Sequence, residues 1–194
     1  MSPRSRKVLR WVIVVSLGVL FIAIQTHPGT ATFFQRFLLG SGAFEPGKFI
    51  EEETRKPADF SLQLQDTEGT IRNLKDFRGS VIFLNFWATW CPPCRAEMPS
   101  IVELYTDLQE SDIQFLLVSL DRDEKSIQSY QKKNGFAAPF YRPVGRIPES
   151  FGTKSIPVTI VVDREGRIAF RHEGMATYNT KRFRNALRDE SEKF

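Results

Sequence analysis

Cys91 and Cys94 are the only cysteines of this 194-residue chain, and two prolines separate them in the order Cys-Pro-Pro-Cys. Two thiols at this spacing can form a structural disulfide, supply half of a metal site, or act as a redox pair. A structural bridge over so short a loop would stabilise the fold little, because loop-closure entropy rewards small loops least. The spacing therefore gives weak support to a structural role.

A zinc site is also disfavoured by the residues available. Zinc needs four ligands, and besides the two thiols the chain offers only His27 and His172 as soft or borderline donors. Their spacing fits no zinc-ligand pattern.

The elements predicted around the cysteines favour a redox pair. Residues 80–87 form an apolar run typical of a buried central strand, and the apolar spacing after the cysteines predicts a helix to about residue 111. Cys91 would lie at the helix N-terminus, where free N–H groups and the helix dipole favour a thiolate. We expect Cys91 to be the exposed nucleophile and Cys94, facing inward, to resolve the mixed disulfide.

Pro92 and Pro93 are expected to tune this couple. A proline suits the first helical turn, where no N–H is needed, and two in succession stiffen it. They also remove donors that would stabilise the thiolate.

The remaining pattern predicts an α/β domain with a mixed sheet. Strands are expected at 60–64, 70–73, 113–120, 158–162 and 167–172, and helices at 124–134 and 180–193, with one helical turn at 148–151. Residues 40–56 are expected to form a linker, since they contain several glycines and a run of acids.

The N-terminus predicts a membrane anchor. Arg4, Arg6, Lys7 and Arg10 precede an apolar run at 11–24. As a helix this run spans about 21 Å against a hydrocarbon core of roughly 30 Å, and snorkelling of Arg10 extends it. The apolar part of a cleaved signal peptide is the alternative, but residues 33–39 read as an amphipathic surface segment and favour an anchor. The basic residues would hold the N-terminus in the cytoplasm and place the domain outside.

The charge balance argues against nucleic-acid binding. The chain has 27 Lys and Arg against 23 Asp and Glu, and four of the basic residues lie within the first ten. The rest of the chain is therefore neutral and has no basic footprint for an anionic partner.

Residues 83–99, with the sequence FLNFWATWCPPCRAEMP, resemble the active-site segment of thioredoxin-like proteins. The resemblance is to the membrane-anchored, extracytoplasmic TlpA/ResA-like thiol–disulfide oxidoreductases of bacteria, and it runs from about Pro57 to the C-terminus. It implies a thioredoxin-like fold, with a mixed central sheet flanked by helices and an extra N-terminal hairpin. The predicted division is 1–26 for the basic residues and anchor or signal peptide, 27–56 for a juxtamembrane segment and linker, and 57–194 for the domain.

The resemblance also implies roles for single residues. Pro157 matches the family's cis-proline, and Ile156 before it would present backbone to an extended substrate. Glu97 matches a glutamate near the cysteines that would shuttle a proton or tune their pKa values, the simpler alternative being a first-turn acid favoured by the helix dipole. Asn85 departs from thioredoxins, which have a buried aspartate there, and this favours the anchored branch. Trp90 is expected to be an exposed docking surface for partners.

Function follows from the same resemblance. We expect reduction of protein disulfides in the extracytoplasmic space, including those of apocytochromes c before haem attachment, with electrons from a membrane dithiol donor and no cofactor beyond the Cys91–Cys94 disulfide. The alternative is a copper(I) chaperone that uses the dithiol and His172, although His172 is expected to be a solvated residue at a strand end. A peroxidase of the peroxiredoxin type is disfavoured, because Thr89 precedes Cys91 by two residues with no proline ahead of it.

Overall fold

The computed structural model of the protein describes residues 3–26, 44–152 and 154–193. Four α-helices lie in these ranges: α1 (Pro3–Thr26), α2 (Pro92–Leu108), α3 (Glu124–Asn134) and α4 (Lys181–Glu192). The strands are β1 (Gln63–Asp66), β2 (Ile71–Asn73), β3 (Val81–Trp87), β4 (Ile113–Ser119), β5 (Phe140–Val144), β6 (Val158–Val162) and β7 (Ile168–Glu173). Except for β5, each strand overlaps a predicted one.

The seven strands form one mixed sheet in the order β2-β1-β5-β4-β3-β6-β7. β3 pairs in parallel with β4 and antiparallel with β6, so it lies inside the sheet, and all seven of its residues are buried. This confirms the prediction of a mixed sheet whose central strand leads to the cysteines. The opening hairpin is also confirmed as β1 and β2.

The strand β5 was not predicted. It is short and contains Pro143, which cannot donate to a ladder and hides the strand pattern. β5 pairs in parallel with β4 and antiparallel with β1. It therefore joins the opening hairpin to the rest of the sheet.

Alternate residues of β3 divide the core into two clusters. Phe83 and Trp87 pack with apolar side chains of α2, α3 and α4. Leu84 and Phe86 belong to the second cluster, which also includes Leu64 of the opening hairpin and Phe151. The period of two in β3 thus places one set of residues beneath the helix that carries the cysteines.

The described part of the expected linker, residues 44–56, packs on the domain. The Ile50 N–H donates to the Ala169 carbonyl oxygen over 2.8 Å. Arg55 has a side chain only 3% exposed, and it forms ion pairs with Asp163 at 3.0 Å and Glu190 at 2.8 Å. The packed domain therefore includes residues upstream of Pro57.

The expected anchor coincides with α1. Within the part of the chain that the structure describes, no helix is both long and apolar enough to cross a membrane. The amphipathic segment expected at 33–39 lies outside the described residues. Membrane anchoring stays a prediction.

Candidate active site

The turn after β3 delivers Cys91 to the start of α2. The Cys91 N–H donates to the carbonyl oxygen of Ala88 over 3.2 Å, which closes the turn. Cys91 is the N-cap of α2, and its Sγ accepts a hydrogen bond from the Cys94 N–H at 3.3 Å. Pro92 and Pro93 occupy the first helical positions, where a missing N–H costs nothing. The predicted placement at a helix N-terminus is confirmed.

Cys91 and Cys94 form a disulfide in this structure. Cys94 is fully buried, as predicted, but Cys91 is only 4% exposed, so the expectation of an exposed nucleophile is wrong for the disulfide form. The exposed surface is supplied instead by the preceding residue, Trp90, which is 65% exposed. Trp90 also lines an open groove with Leu120, Asp121, Arg122, Asp123 and Ser126.

The loop before β6 lies against Cys91. The peptide bond between Ile156 and Pro157 is cis, as the resemblance implied. The carbonyl oxygen of Ile156 lies 3.9 Å from the Cys91 sulfur. The Gly174 N–H holds this loop by donating to the Pro157 carbonyl oxygen over 2.9 Å.

Glu97 lies in the second turn of α2 rather than in its first, and its side chain is buried in the protein. Its carboxylate is fully buried and accepts hydrogen bonds from Asn85 Nδ2 at 3.0 Å and from the Ala176 N–H at 3.2 Å. Burial raises the pKa of Glu97 to about 8, although both hydrogen bonds oppose this rise. The alternative interpretation as a first-turn acid is therefore wrong, and the residue can exchange a proton near neutral pH.

Asn85 links Glu97 to the sheet. Its Nδ2 also donates to Thr159 Oγ1 at 2.9 Å, whereas its Oδ1 has no hydrogen-bond partner among the described residues. This amide orientation suits an ionised Glu97, which can only accept. A protonated Glu97 carries a donor, and a half-turn of the amide would offer it Oδ1 while the Thr159 hydroxyl donates in turn. The amide of Asn85 can therefore partner either protonation state of Glu97.

His172 is the penultimate residue of β7, opposite Thr159, so its expected place at a strand end is confirmed, but its side chain is half-buried rather than solvated. Its ring centroid is 6.4 Å from that of the buried Tyr178, and burial lowers its pKa. Across the described residues, no three or more His, Cys, Asp or Glu side chains come together as a metal-binding group. The geometry therefore gives no support to a copper site made of the dithiol and His172.

Sequence reasoning missed three contributors to this site. Thr159 lies two residues after Pro157 but was given no role, and Ala176 acts through a backbone N–H that no side chain identifies. Asp121 was also missed, although an acid directly after a buried strand that ends beside the cysteine turn is a usable signal. All three join the site through contacts between residues distant in sequence.

Fold and site together define the class of thioredoxin-fold thiol–disulfide oxidoreductases with a Cys-x-x-Cys pair. Residues 54–171 match the AhpC/TSA family, and the chain belongs to that family.

Relatives of this chain are named thiol-disulfide oxidoreductases. The chain is 30% identical over 142 residues to the thiol-disulfide oxidoreductase ResA of Bacillus cereus, covering 73% of this chain and 80% of the relative. It is 32% identical over 115 residues to ResA of Halalkalibacterium halodurans, covering 59% of this chain but only 65% of that relative.

A solved structure, a secreted thiol-disulfide isomerase from Corynebacterium glutamicum, is 28% identical to this chain with a TM-score of 0.56. The match covers 74% of this chain and 87% of the isomerase.

Proposed function

We propose that the protein reduces disulfide bonds of extracytoplasmic proteins while its N-terminal segment holds it at the bacterial cytoplasmic membrane. The observation that carries this proposal is the position of the dithiol. Cys91 caps α2, and its sulfur lies 3.9 Å from the Ile156 carbonyl oxygen, directly before Pro157. Cys94 lies within the same helix, which also carries the buried Glu97.

The first step is attack by the Cys91 thiolate on one sulfur of a substrate disulfide. A new bond forms between Cys91 and that sulfur, and the other substrate sulfur leaves as a thiolate and takes a proton. The N–H of Cys94 favours the Cys91 thiolate before attack, since it already donates to this sulfur. The carbonyl of Ile156 and the exposed Trp90 are the surfaces that would orient the substrate segment.

The second step releases the substrate. The Cys94 thiol gives up its proton and attacks the Cys91 sulfur, so the intramolecular disulfide forms and the substrate leaves as a dithiol. Glu97 follows Cys94 by three residues on α2, and its pKa of about 8 suits it to accept that proton when ionised. Two electrons have then passed from the protein to the substrate.

The cycle needs a donor that returns two electrons and two protons to the disulfide. A membrane dithiol carrier fits the proposed location, and apocytochromes c are the substrates implied by the resemblance. The direction can be tested by the potential of the Cys91–Cys94 couple. A value near about −270 mV would support a reductant, and one near about −120 mV would contradict it.

Activity and mechanism are tested with insulin as a protein disulfide. The reduced chain should reduce insulin, Cys91→Ser should be inactive, and Cys94→Ser should accumulate a mixed disulfide through Cys91. Absence of insulin reduction by the wild type, with no mixed disulfide in Cys94→Ser, would contradict the proposed activity.

Location is tested separately. A C-terminal alkaline phosphatase fusion should be active in cells and sediment with membranes. An inactive fusion would contradict an extracytoplasmic domain, and an active soluble one would contradict the anchor.

A further inference from the structure

Asp121 lies beside the cysteine turn although it is 30 residues away along the chain. β3 and β4 are parallel and in register, with Trp87 opposite Ser119, so the residues that follow both strands meet at one edge of the sheet. The Leu120 N–H donates to the Trp87 carbonyl oxygen over 2.8 Å and continues the pairing. The turn after β4 is therefore fixed next to the turn that carries Cys91.

The Asp121 carboxylate accepts three hydrogen bonds, and two of them cross from one turn to the other. Oδ2 accepts from the Thr89 N–H at 2.8 Å, and Oδ1 accepts from Thr89 Oγ1 at 2.7 Å. The third donor is the Ser119 hydroxyl, 2.5 Å from Oδ2, and this hydroxyl also accepts from the Asp121 N–H at 3.1 Å. The Ser119 hydroxyl thus orients the carboxylate. The carboxylate in turn accepts hydrogen bonds from both the backbone N–H and the side-chain hydroxyl of Thr89.

Thr89 lies inside the four-residue turn that closes between Ala88 and Cys91. Fixing Thr89 therefore limits where the Cys91 sulfur can move once the disulfide is reduced. We propose that Asp121 is a positioning residue that holds Cys91 at the N-cap of α2, where the Cys94 N–H reaches its sulfur. The proposal deepens the proposed function and rests on it, because it assigns a residue to the presentation of the same nucleophile.

A charge effect of Asp121 would have the opposite sign. A carboxylate near Cys91 disfavours a second negative charge, so its removal would lower the thiol pKa. Loss of positioning lets Cys91 leave the helix N-terminus and raises the thiol pKa instead. Arg95 on α2 and Arg122 and Asp123 beside Asp121 also carry charge near this turn, and Glu97 on α2 can be charged or neutral. All four stay unchanged in the variants below.

The experiment measures the Cys91 thiol pKa of the reduced full chain by thiolate absorbance and by the pH dependence of alkylation, with the labelled cysteine identified by mass spectrometry. Asp121→Ala should raise this pKa and slow alkylation of Cys91 at neutral pH by about three- to tenfold, since a pKa rise of one unit lowers the thiolate fraction up to about tenfold. Thr89→Val keeps the carboxylate and should change the pKa in the same direction by less, whereas Thr89→Ser should restore the wild-type value.

Two variants serve as controls. Asp121→Asn removes the charge but keeps an oxygen for the Thr89 N–H, so it should stay closer to wild type than Asp121→Ala does. Asp66→Ala breaks a similar contact in the β1–β2 turn, where the carboxylate accepts from the N–H groups of Glu68 and Thr70 at 2.9 Å each, and it should leave Cys91 unchanged.

A lowered or unchanged pKa in Asp121→Ala would overturn the proposal. If that variant does not fold, a wild-type pKa in Thr89→Val would overturn it equally. These readouts need no substrate, so failure of insulin reduction by the wild type would refute the function and leave the positioning result standing.

Discussion

Glu97→Gln gives the most direct test of the buried carboxyl group. Glu97 has no exposed surface, and burial raises its pKa to about 8 from an ordinary value of 4.5. The unfolded chain therefore releases this proton at a lower pH than the folded protein does. Between these two pKa values the folded state binds more protons, so stability falls as pH rises.

The size of the effect follows from the pKa difference. One pKa unit corresponds to about 1.4 kcal/mol, so the raised pKa of Glu97 lowers the free energy of unfolding, relative to its value at low pH, by roughly 5 kcal/mol well above pH 8 and roughly 3 kcal/mol at neutral pH. The stability that comes from protonated Glu97 is fully present below about pH 4.5. It falls as pH rises above this value and is lost once pH has passed about 8. Glutamine cannot ionise, so the variant should lack this loss. The introduced amide could still accept from the Ala176 N–H and donate to Asn85 after a half-turn.

The assay is urea unfolding of the disulfide form at several pH values between about pH 5 and pH 9. The stability of Glu97→Gln minus that of wild type should increase by roughly 4 kcal/mol over this range. Glu103→Gln, at an exposed position of the same helix, is the matched control and should give a flat difference. A flat difference for Glu97→Gln as well would refute the reasoning, since it would mean that Glu97 does not titrate in this range.

Three further variants separate binding from stability. Trp90→Ala should raise KM for insulin without lowering the melting temperature, because the side chain is 65% exposed, and equal effects on insulin and on a small aromatic disulfide would contradict a docking role. Arg55→Met should lower the free energy of unfolding by about 1–3 kcal/mol, because Asp163 and Glu190 lose their shared buried cation and keep only the more exposed Arg167 and Lys193. Arg146→Met breaks an exposed pair and should cost less than about 1 kcal/mol. Equal losses in chemical unfolding of the two arginine variants would contradict the buried-pair argument.

Local signals predicted the part of the site that is contiguous in sequence. An apolar run followed by a tight turn and a helical period was enough to place Cys91 at the start of α2. Gly135 directly follows the helix predicted at 124–134, and it closes α3 in the left-handed conformation that favours glycine. The cis bond before Pro157 needed the family resemblance, because most X-Pro bonds in folded proteins are trans.

Contacts between distant segments could not be predicted in this way. The buried Glu97 accepts a hydrogen bond from the Ala176 N–H, which lies 79 residues away in a loop with no regular pattern. Arg55 looked like part of a charged linker, and only its partners Asp163 and Glu190 show that it is buried. A charged residue next to glycines and acids is usually solvated, so composition alone favours the wrong environment.

Asn85 explains why Glu97 can be the one buried carboxyl group near the two cysteines. An aspartate at this position would place a second carboxyl group within hydrogen-bond distance of Glu97, and the two could not both ionise at low cost. The amide of Asn85 carries no charge and donates to Glu97 and Thr159 at once. Its donation favours the ionised form of Glu97, whereas burial favours the protonated form, and burial is the larger effect. The sheet therefore supplies a partner that limits the pKa rise without titrating, and this leaves Glu97 as the buried carboxyl group suited to take the proton of Cys94.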